Sequence, residues 1–258
     1  MHRFAIVTRP DEVSLSVEDQ IRFDLENHGY KEDAEDPEVV FVVGGDGTFI
    51  YAVHKYLEKL EHVSFYGIHT GTLGFYTDYR DSEYDEFINT FLNHEYTETT
   101  YPMLKAMTGD KVYYGINEIR IENAARTQVM DVSVNGSPFE KIRGTGILVC
   151  TQLGSTAYNR SLGGAVMQEG IDLIEMCEIA GIHHSKYRSL GAPIIMKSDT
   201  VLDFTAVSFS GALLGADADV YPFTDEKNVT IMICPDKKVK MLRGRKVSYF
   251  LRLKSLFW

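Results

Sequence analysis

Five consecutive apolar residues, Val39-Val-Phe-Val-Val43, run directly into Gly44-Gly-Asp-Gly47, and Phe49, Ile50, Val53, Leu57 and Leu60 follow at helical spacing. An unbroken β-branched and aromatic run is a strand with both faces covered, the habit of parallel sheets. The same alternation of strand and helix fills the first hundred residues. Residues 4–8 read as a buried strand. Ser16, with Asp19 three residues later, reads as a capping box ahead of Val17, Ile21 and Leu25, and Gly29 closes that helix. Residues 63–68 give a third strand, and Ser82 and Asp85 open a helix carrying Phe87, Ile88, Phe91 and Leu92. This order predicts an α/β domain with a parallel sheet over residues 1–100.

After Pro102 the pattern changes. Short β-rich segments follow at 103–107, 112–116, 118–121, 129–134, 139–142 and 147–150, and again at 193–196, 201–207 and 229–234. Asn135-Gly136 between two of them is a two-residue hairpin signal. Residues 169–182 are expected to be helical, with Ile171, Ile174, Cys177 and Ile182 on one side. Residues 101–235 are therefore expected to form a β-rich, antiparallel, sandwich-like second domain. The closing segment 236–258 is expected to rejoin the first domain.

Composition removes several function classes. There are 26 Lys and Arg against 37 Asp and Glu, a net charge of −11, which argues against nucleic-acid binding. The longest dense apolar run is far short of the ~18 residues a membrane helix needs, and no signal-peptide pattern opens the chain. Cys150, Cys177 and Cys234 are too few and too scattered for a disulfide framework or a CxxC zinc site. A cytoplasmic setting is expected. The eight histidines lack metal-ligand spacing, and the neighbouring His183 and His184 read as surface residues. Eight basic residues and no acid lie between Lys237 and the end. They are either a solvated strip that neutralises acidic neighbours or a strip facing a phosphorylated ligand.

The glycines of Gly44-Gly45-Asp46-Gly47 let the backbone approach a ligand closely, and the helix opening near Thr48 presents free N–H groups suited to phosphate. Asp46 fits phosphate poorly unless it does chemical work or holds a metal; the plainer alternative is a turn aspartate capping the helix. GxxxxGK[ST], GxGxxG after a strand and GxSxG are all missing, which excludes a P-loop enzyme and leaves a Rossmann turn or serine hydrolase unsupported. Two further motifs stand out. Gly115-Ile-Asn117-Glu118 sets an amide beside a carboxylate at a strand start, or simply closes a hairpin. Residues 150–164 end a strand in Gly154-Ser-Thr156-Ala157-Tyr158, whose hydroxyls and ring suit a sugar and a purine or, more plainly, pack a tight loop.

Gly44-Gly-Asp-Gly-Thr48, Asn117-Glu118 and Gly154-Ser-Thr-Ala-Tyr158, in that order, together resemble the NAD kinase family in its compact Gram-positive form. The resemblance extends to residues 67–76 and to the basic, aromatic tail ending Phe257-Trp258, and so covers essentially the whole chain. The glycine motif alone is shared with diacylglycerol-type lipid kinases and 6-phosphofructokinases; the other two motifs are more specific. The resemblance implies ATP-dependent phosphorylation of the 2′-hydroxyl of the adenosine ribose of NAD, giving NADP. It implies Asp46 as general base, Gly45 and Gly47 admitting phosphates, and Phe75 and Tyr76 as a wall. Asn117 and Glu118 would contact adenine and ribose. Thr156, Ala157 and Tyr158, with Asn159 and Ser161 nearby, would line the adenine and nicotinamide-side ribose pocket. Arg143, Thr145 and Ala180 would belong to a region shared with a neighbouring subunit, since the family is usually tetrameric. Mg2+ would enter with ATP and need no dedicated protein cage.

The chain departs from the family pattern in three places. Gly144-Thr145-Gly146 stands where the family has Gly-Asp-Gly, Thr151-Gln152 where it commonly has Thr-Pro, and Asp217-Ala218 where an Asp-His pair is typical. Retention of Asp46 favours an enzyme, whereas Thr145 is the feature that favours a catalytically weakened NAD or NADP sensor.

Overall fold

The computed structural model describes residues 2–72, 74–183 and 188–257. His184, Leu73 and Trp258, each part of a sequence feature above, lie outside them. The chain divides into two compact units, residues 1–101 with 237–258 and residues 102–236.

In the first unit the strands Lys31–Glu32, Arg3–Thr8, Val39–Val43 and Ser64–His69 lie side by side in that order, all parallel. Lys240 and Met241, near the end of strand Asn228–Arg243, add a further parallel partner beside Ser64 and Phe65. All five residues of Val39–Val43 are buried, as the unbroken apolar run requires. Phe4, Val39, Phe41, Val43, Tyr66 and Ile68 bury one face under the helices Glu12–Asn27, through Val17, Ile21 and Leu25, and Tyr84–Leu92, through Phe87 and Phe91. Phe41 meets Phe91 edge-on at 4.8 Å and Tyr66 stacks on Phe87 at 4.4 Å. Phe65 turns the other way and meets Phe49 of helix Asp46–Lys55 at 5.7 Å.

Two helix starts differ from expectation. The first helix begins at Glu12 with Asp11 as its cap, accepting from the Ser14 N–H at 3.1 Å, so Ser16 and Asp19 lie inside it. A single 3-10 turn, Asp81–Glu83, precedes helix Tyr84–Leu92.

The second unit is antiparallel. One sheet has six strands, Ile194–Lys197, Leu173–Ile179, Gly146–Thr151, Glu118–Glu122, Leu213–Ala216 and Asp219–Pro222, in that order. A second sheet runs Ser137–Gly144, Gln128–Val134, Leu202–Thr205 and the first part of Asn228–Arg243, with Thr97–Thr108 and Lys111–Gly115 also paired into it. Ile119, Ile121, Ile147, Val149, Ile174 and Met176 of the first pack against Leu104, Met130, Val132, Leu202 and Phe204 of the second. Asn135 and Gly136 take positive φ at the hairpin they were expected to make.

The helix expected over 169–182 is the strand Leu173–Ile179. Ile174 and Met176 enter the core between the sheets, while Leu173 and Ile179 join a second cluster with Leu148, Cys150 and Met167. Between them sits a buried carboxylate, Glu175, which interrupts the apolar alternation and leaves a spacing that imitates a helix. The three cysteines are buried free thiols. Among the described residues no helix is long and apolar enough to cross a membrane.

Candidate active site

Asp46 follows the end of a fully buried strand by three residues and is the first residue of helix Asp46–Lys55. Gly44 makes the turn. Its φ is +151°, its N–H donates to Ile68 O at 3.0 Å, and a Cβ there would lie 2.9 Å from Thr48 Cβ and 3.2 Å from Arg9 Cβ. Gly45 is the N-cap, and no side chain caps this helix.

Asp46 is thus not a capping aspartate. Its carboxylate accepts from the Phe75 N–H, 3.1 Å from each oxygen, and from the Tyr76 N–H at 3.3 Å. Gly74 is required beside it, because a Cβ at that position would overlap the carboxylate. Burial pushes the Asp46 carboxyl above its ordinary range; the two N–H donors and the charges of Arg252 and Arg243 oppose that shift. A carboxylate held in place yet poorly solvated suits proton abstraction. Phe75 and Tyr76 contribute backbone here rather than the expected wall. Both rings are buried, Tyr76 5.0 Å from Phe49 and Phe75 6.1 Å from Tyr249.

Gly45 and Gly47 have no such internal reason to be glycine. Neither has positive φ, and a Cβ at either would meet nothing within 4 Å. Gly47→Ala is therefore expected to stabilise the fold by about 0.5–1 kcal/mol, the usual gain for alanine over glycine inside a helix. Urea unfolding checks this, and a loss of stability would mean that the fold itself needs Gly47.

In the second unit Asn117 lies between strands of different sheets, since Lys111–Gly115 pairs in one and Glu118–Glu122 in the other. The hairpin reading of this motif is therefore wrong. Asp217, at positive φ in a tight turn, receives the N–H groups of Ile116 (2.8 Å), Asn117 (2.8 Å) and Glu118 (3.1 Å). From the other side the Thr151 hydroxyl donates to Ile116 O at 2.6 Å, and a Cβ on Gly154 would overlap Asn117 O. The Asn-Glu and Gly-Ser-Thr segments are thereby packed together. Glu118 is buried, one of its oxygens has no hydrogen-bond partner, and it lies 3.7 Å from Arg120. Burial, with Asp217 nearby, pushes its carboxyl up to about 7; Arg120 opposes this.

The segment after Thr151 is a 3-10 turn, Leu153–Thr156, followed by a one-turn helix, Tyr158–Ser161. Thr156 donates to Leu153 O at 3.1 Å, while Tyr158 and Ser161 are exposed and Ala157 half-buried. Asn159 faces inward. Its amide donates to Glu175 (2.7 Å) and to Ala165 O (3.2 Å), and its oxygen accepts from the Cys177 thiol, so its side chain holds the loop rather than lining an opening.

Arg143, Thr145 and Ala180 cluster elsewhere. Thr145 N donates to Ile179 O at 2.9 Å and a Cβ on Gly144 would lie 2.8 Å from Ala180 O. This group borders the Gly146 end of strand Gly146–Thr151, whereas Asn117 and Gly154 border its Thr151 end. The separation is about 17 Å at 3.3 Å per residue.

Several contributors were not assigned their roles from sequence: Asp78 and Arg252 around the loop after Gly74, Asp217 under Asn117, and Glu175 behind Asn159. Their partners are 16 to 174 residues away in sequence, and short-range pattern has no access to such pairs. Among the described residues no group of three or more His, Cys, Asp or Glu could hold a metal ion.

The family model for the ATP-NAD kinase N-terminal domain matches residues 4–96, and that for the C-terminal domain matches residues 116–243. An NAD kinase of Streptococcus pneumoniae strain Hungary19A-6 is 37% identical over 226 residues, covering 86% of this chain and 83% of that protein. One from S. pneumoniae serotype 19F strain G54 is 35% identical over 243 residues, covering 92% and 89%. Yeast NADH kinase complexed with NADH superimposes with a TM-score of 0.82 at 16% identity, over 99% of this chain and 87% of that one. An NAD kinase from Archaeoglobus fulgidus in complex with ATP gives 0.81 at 22%, over 98% and 99%. At those identities the structural likeness speaks for the fold. The family matches and the streptococcal relatives together place this chain in the ATP-NAD kinase family.

Proposed function

We propose that this protein transfers the γ-phosphoryl group of ATP to the 2′-hydroxyl of the adenosine ribose of NAD, with Asp46 as the general base. The observation that carries this reading is the Asp46 carboxylate itself. It heads an uncapped helix between two glycines the fold does not need, and its own contacts are backbone N–H groups that fix its direction. A ribose hydroxyl is a weak nucleophile, and a carboxylate within hydrogen-bond reach takes its proton as the new P–O bond forms. Phosphoryl transfer otherwise rests on positioning and charge neutralisation. The N–H groups at the start of helix Asp46–Lys55 and the open flanks of Gly45 and Gly47 are suited to the phosphates. Mg2+ belongs to the nucleotide substrate in this reading, bridging phosphate oxygens. Gly47→Ala, stabilising for the fold, is accordingly expected to raise the KM for Mg-ATP.

Asn117, Glu118, Thr156, Ala157, Tyr158 and Ser161 would receive the adenosine and ribose portion. Arg143, Thr145 and Ala180 lie a strand's length from them within one chain. That separation supports a homo-oligomer, a tetramer by family resemblance, in which a second copy supplies the latter group.

An aspartate at position 145 would accept charge-assisted hydrogen bonds that a threonine hydroxyl makes only in neutral form. The difference, roughly 1–1.5 kcal/mol, corresponds to about a tenfold change in affinity. Thr145→Asp is therefore expected to lower the KM for NAD about tenfold with little change in kcat. Weaker NAD binding in that variant would show that Thr145 serves a contact a carboxylate cannot make. The function itself is tested with purified protein, NAD and Mg-ATP, using an NADP-specific dehydrogenase as reporter. NADP formation is expected, whereas tight NAD binding without turnover would make the chain a sensor.

A further inference from the structure

Arg252, on the helix Tyr249–Lys254, is 4% exposed, which is rare for an arginine. Its guanidinium donates to the carbonyls of Gly74 (3.1 Å) and Thr77 and to the carboxylate of Asp78. Arg243, at the end of strand Asn228–Arg243, donates to the carbonyls of Phe75 and Tyr76, both at 3.3 Å, to Asp78 at 3.2 Å and to the Tyr101 hydroxyl at 2.8 Å. Four successive carbonyls, from Gly74 to Thr77, thus end on two arginines.

The peptide groups involved are the same ones that hold Asp46. In a trans peptide the carbonyl and the N–H point in opposite directions. The peptide joining Gly74 to Phe75 has Arg252 at its oxygen and Asp46 at its N–H. The next, joining Phe75 to Tyr76, has Arg243 at its oxygen and Asp46 at its N–H. Hydrogen bonds in such chains polarise one another, so each arginine strengthens the donor that faces the carboxylate. Asp78, bonded to both guanidinium groups and to the Gly244 N–H at 3.1 Å, holds the pair in register.

Resting on the reading of Asp46 as the base, we propose that Arg252 and Arg243 are positioning residues for that carboxylate, acting through these two peptide groups. Together they fix its direction and favour its charged form. Asp78 sits between the arginines, Arg9 beside Gly44 pairs with Asp11 at 2.5 Å, and burial lowers the His69 imidazole, at the end of strand Ser64–His69, from its ordinary value. Two of the tail's basic residues are thereby put to use: Arg243 and Arg252 supply donors to the successive carbonyls of residues 74–77.

The test uses Arg252→Lys and Arg243→Lys in the full chain. Lysine keeps the charge but offers a point donor where the guanidinium forks across several oxygens. Two readouts are needed: kcat and KM for NAD across pH, and the carbon-13 NMR titration of the Asp46 carboxyl, assigned by its loss in Asp46→Asn. With weaker polarisation, both the carboxyl midpoint and the acid limb of the kcat profile are expected to move to higher pH. At the optimum kcat is expected to fall by up to about 10²-fold, the usual consequence of a slightly misplaced group, with KM for NAD nearly constant. Arg243→Lys carries the test if Arg252→Lys does not fold. An unmoved midpoint in a folded variant overturns the inference, as does a moved midpoint with unchanged kcat, or a rise in KM alone. A wild type that does not phosphorylate NAD, but whose midpoint moves in the variants, overturns the functional reading and leaves the bracing of Asp46 intact.

Discussion

Asp46→Asn is expected to lower the turnover of NAD phosphorylation by about 10²–10⁴-fold, the range typical for loss of a general base, while NAD affinity stays nearly unchanged. Asparagine has the same shape, and its amide oxygen can still accept from the Phe75 and Tyr76 N–H groups. It cannot take a proton from a hydroxyl. The same substitution should make the protein more stable at neutral pH. Burial raises the Asp46 carboxyl, so its charged form opposes folding once the pH exceeds the ordinary carboxylate range. In the wild type the same shift is expected to act on activity with the opposite sense: as the proposed base Asp46 must be ionised, so turnover should fall as pH drops through the raised midpoint. A variant both more stable and nearly inactive marks a residue kept for chemistry. Near wild-type turnover in Asp46→Asn would remove Asp46 from the mechanism.

Glu118→Gln is expected to show the largest stability change, and only on one side of neutrality. The folded protein pushes Glu118 up to about 7 from an ordinary 4.5. Such a group stabilises the folded state fully below its unfolded value and loses that contribution as pH rises through the folded one. At 1.36 kcal/mol per unit the wild type should lose on the order of 3 kcal/mol between about pH 4.5 and 7 through this group alone. Glutamine removes the titration. Urea unfolding at pH 8–9 should therefore find Glu118→Gln more stable than the wild type by roughly that amount, with the gain vanishing near pH 4. A pH-independent difference would mean that Glu118 is ionised without penalty, its charge met by Arg120.

Much of this could be read from local pattern. The unbroken run Val39–Val43, its glycines and the helical stripe from Phe49 place the parallel sheet and Asp46, because each depends on neighbours a few residues away, although the helix ends at Lys55 and Leu57 opens a separate 3-10 turn. Asn135-Gly136 makes its hairpin for the same reason. Failure came where a distant partner changes the meaning of a residue. The helix expected over 169–182 rested on the spacing of Ile171, Ile174, Cys177 and Ile182, and local pattern has no access to the burial of Glu175 against Asn159 and the Ala165 N–H inside a strand. Asn159 looked like a ligand contact but spends its amide on that carboxylate. The tail showed its charge but not its use: Arg243 and Arg252 are committed to a loop more than 160 residues earlier in the chain. Three of these residues meet acids, Arg243 and Arg252 at Asp78 and Arg245 at Glu83.

The most direct test of the account is phosphorus-31 NMR of the protein incubated with NAD and Mg-ATP, with Asp46→Asn alongside. The account predicts a new phosphomonoester resonance on the 2′-oxygen of the adenosine ribose, growing in step with ADP, and almost none with the variant. ATP loss that does not depend on NAD, a phosphate on any other hydroxyl, or equal product from both proteins would contradict it.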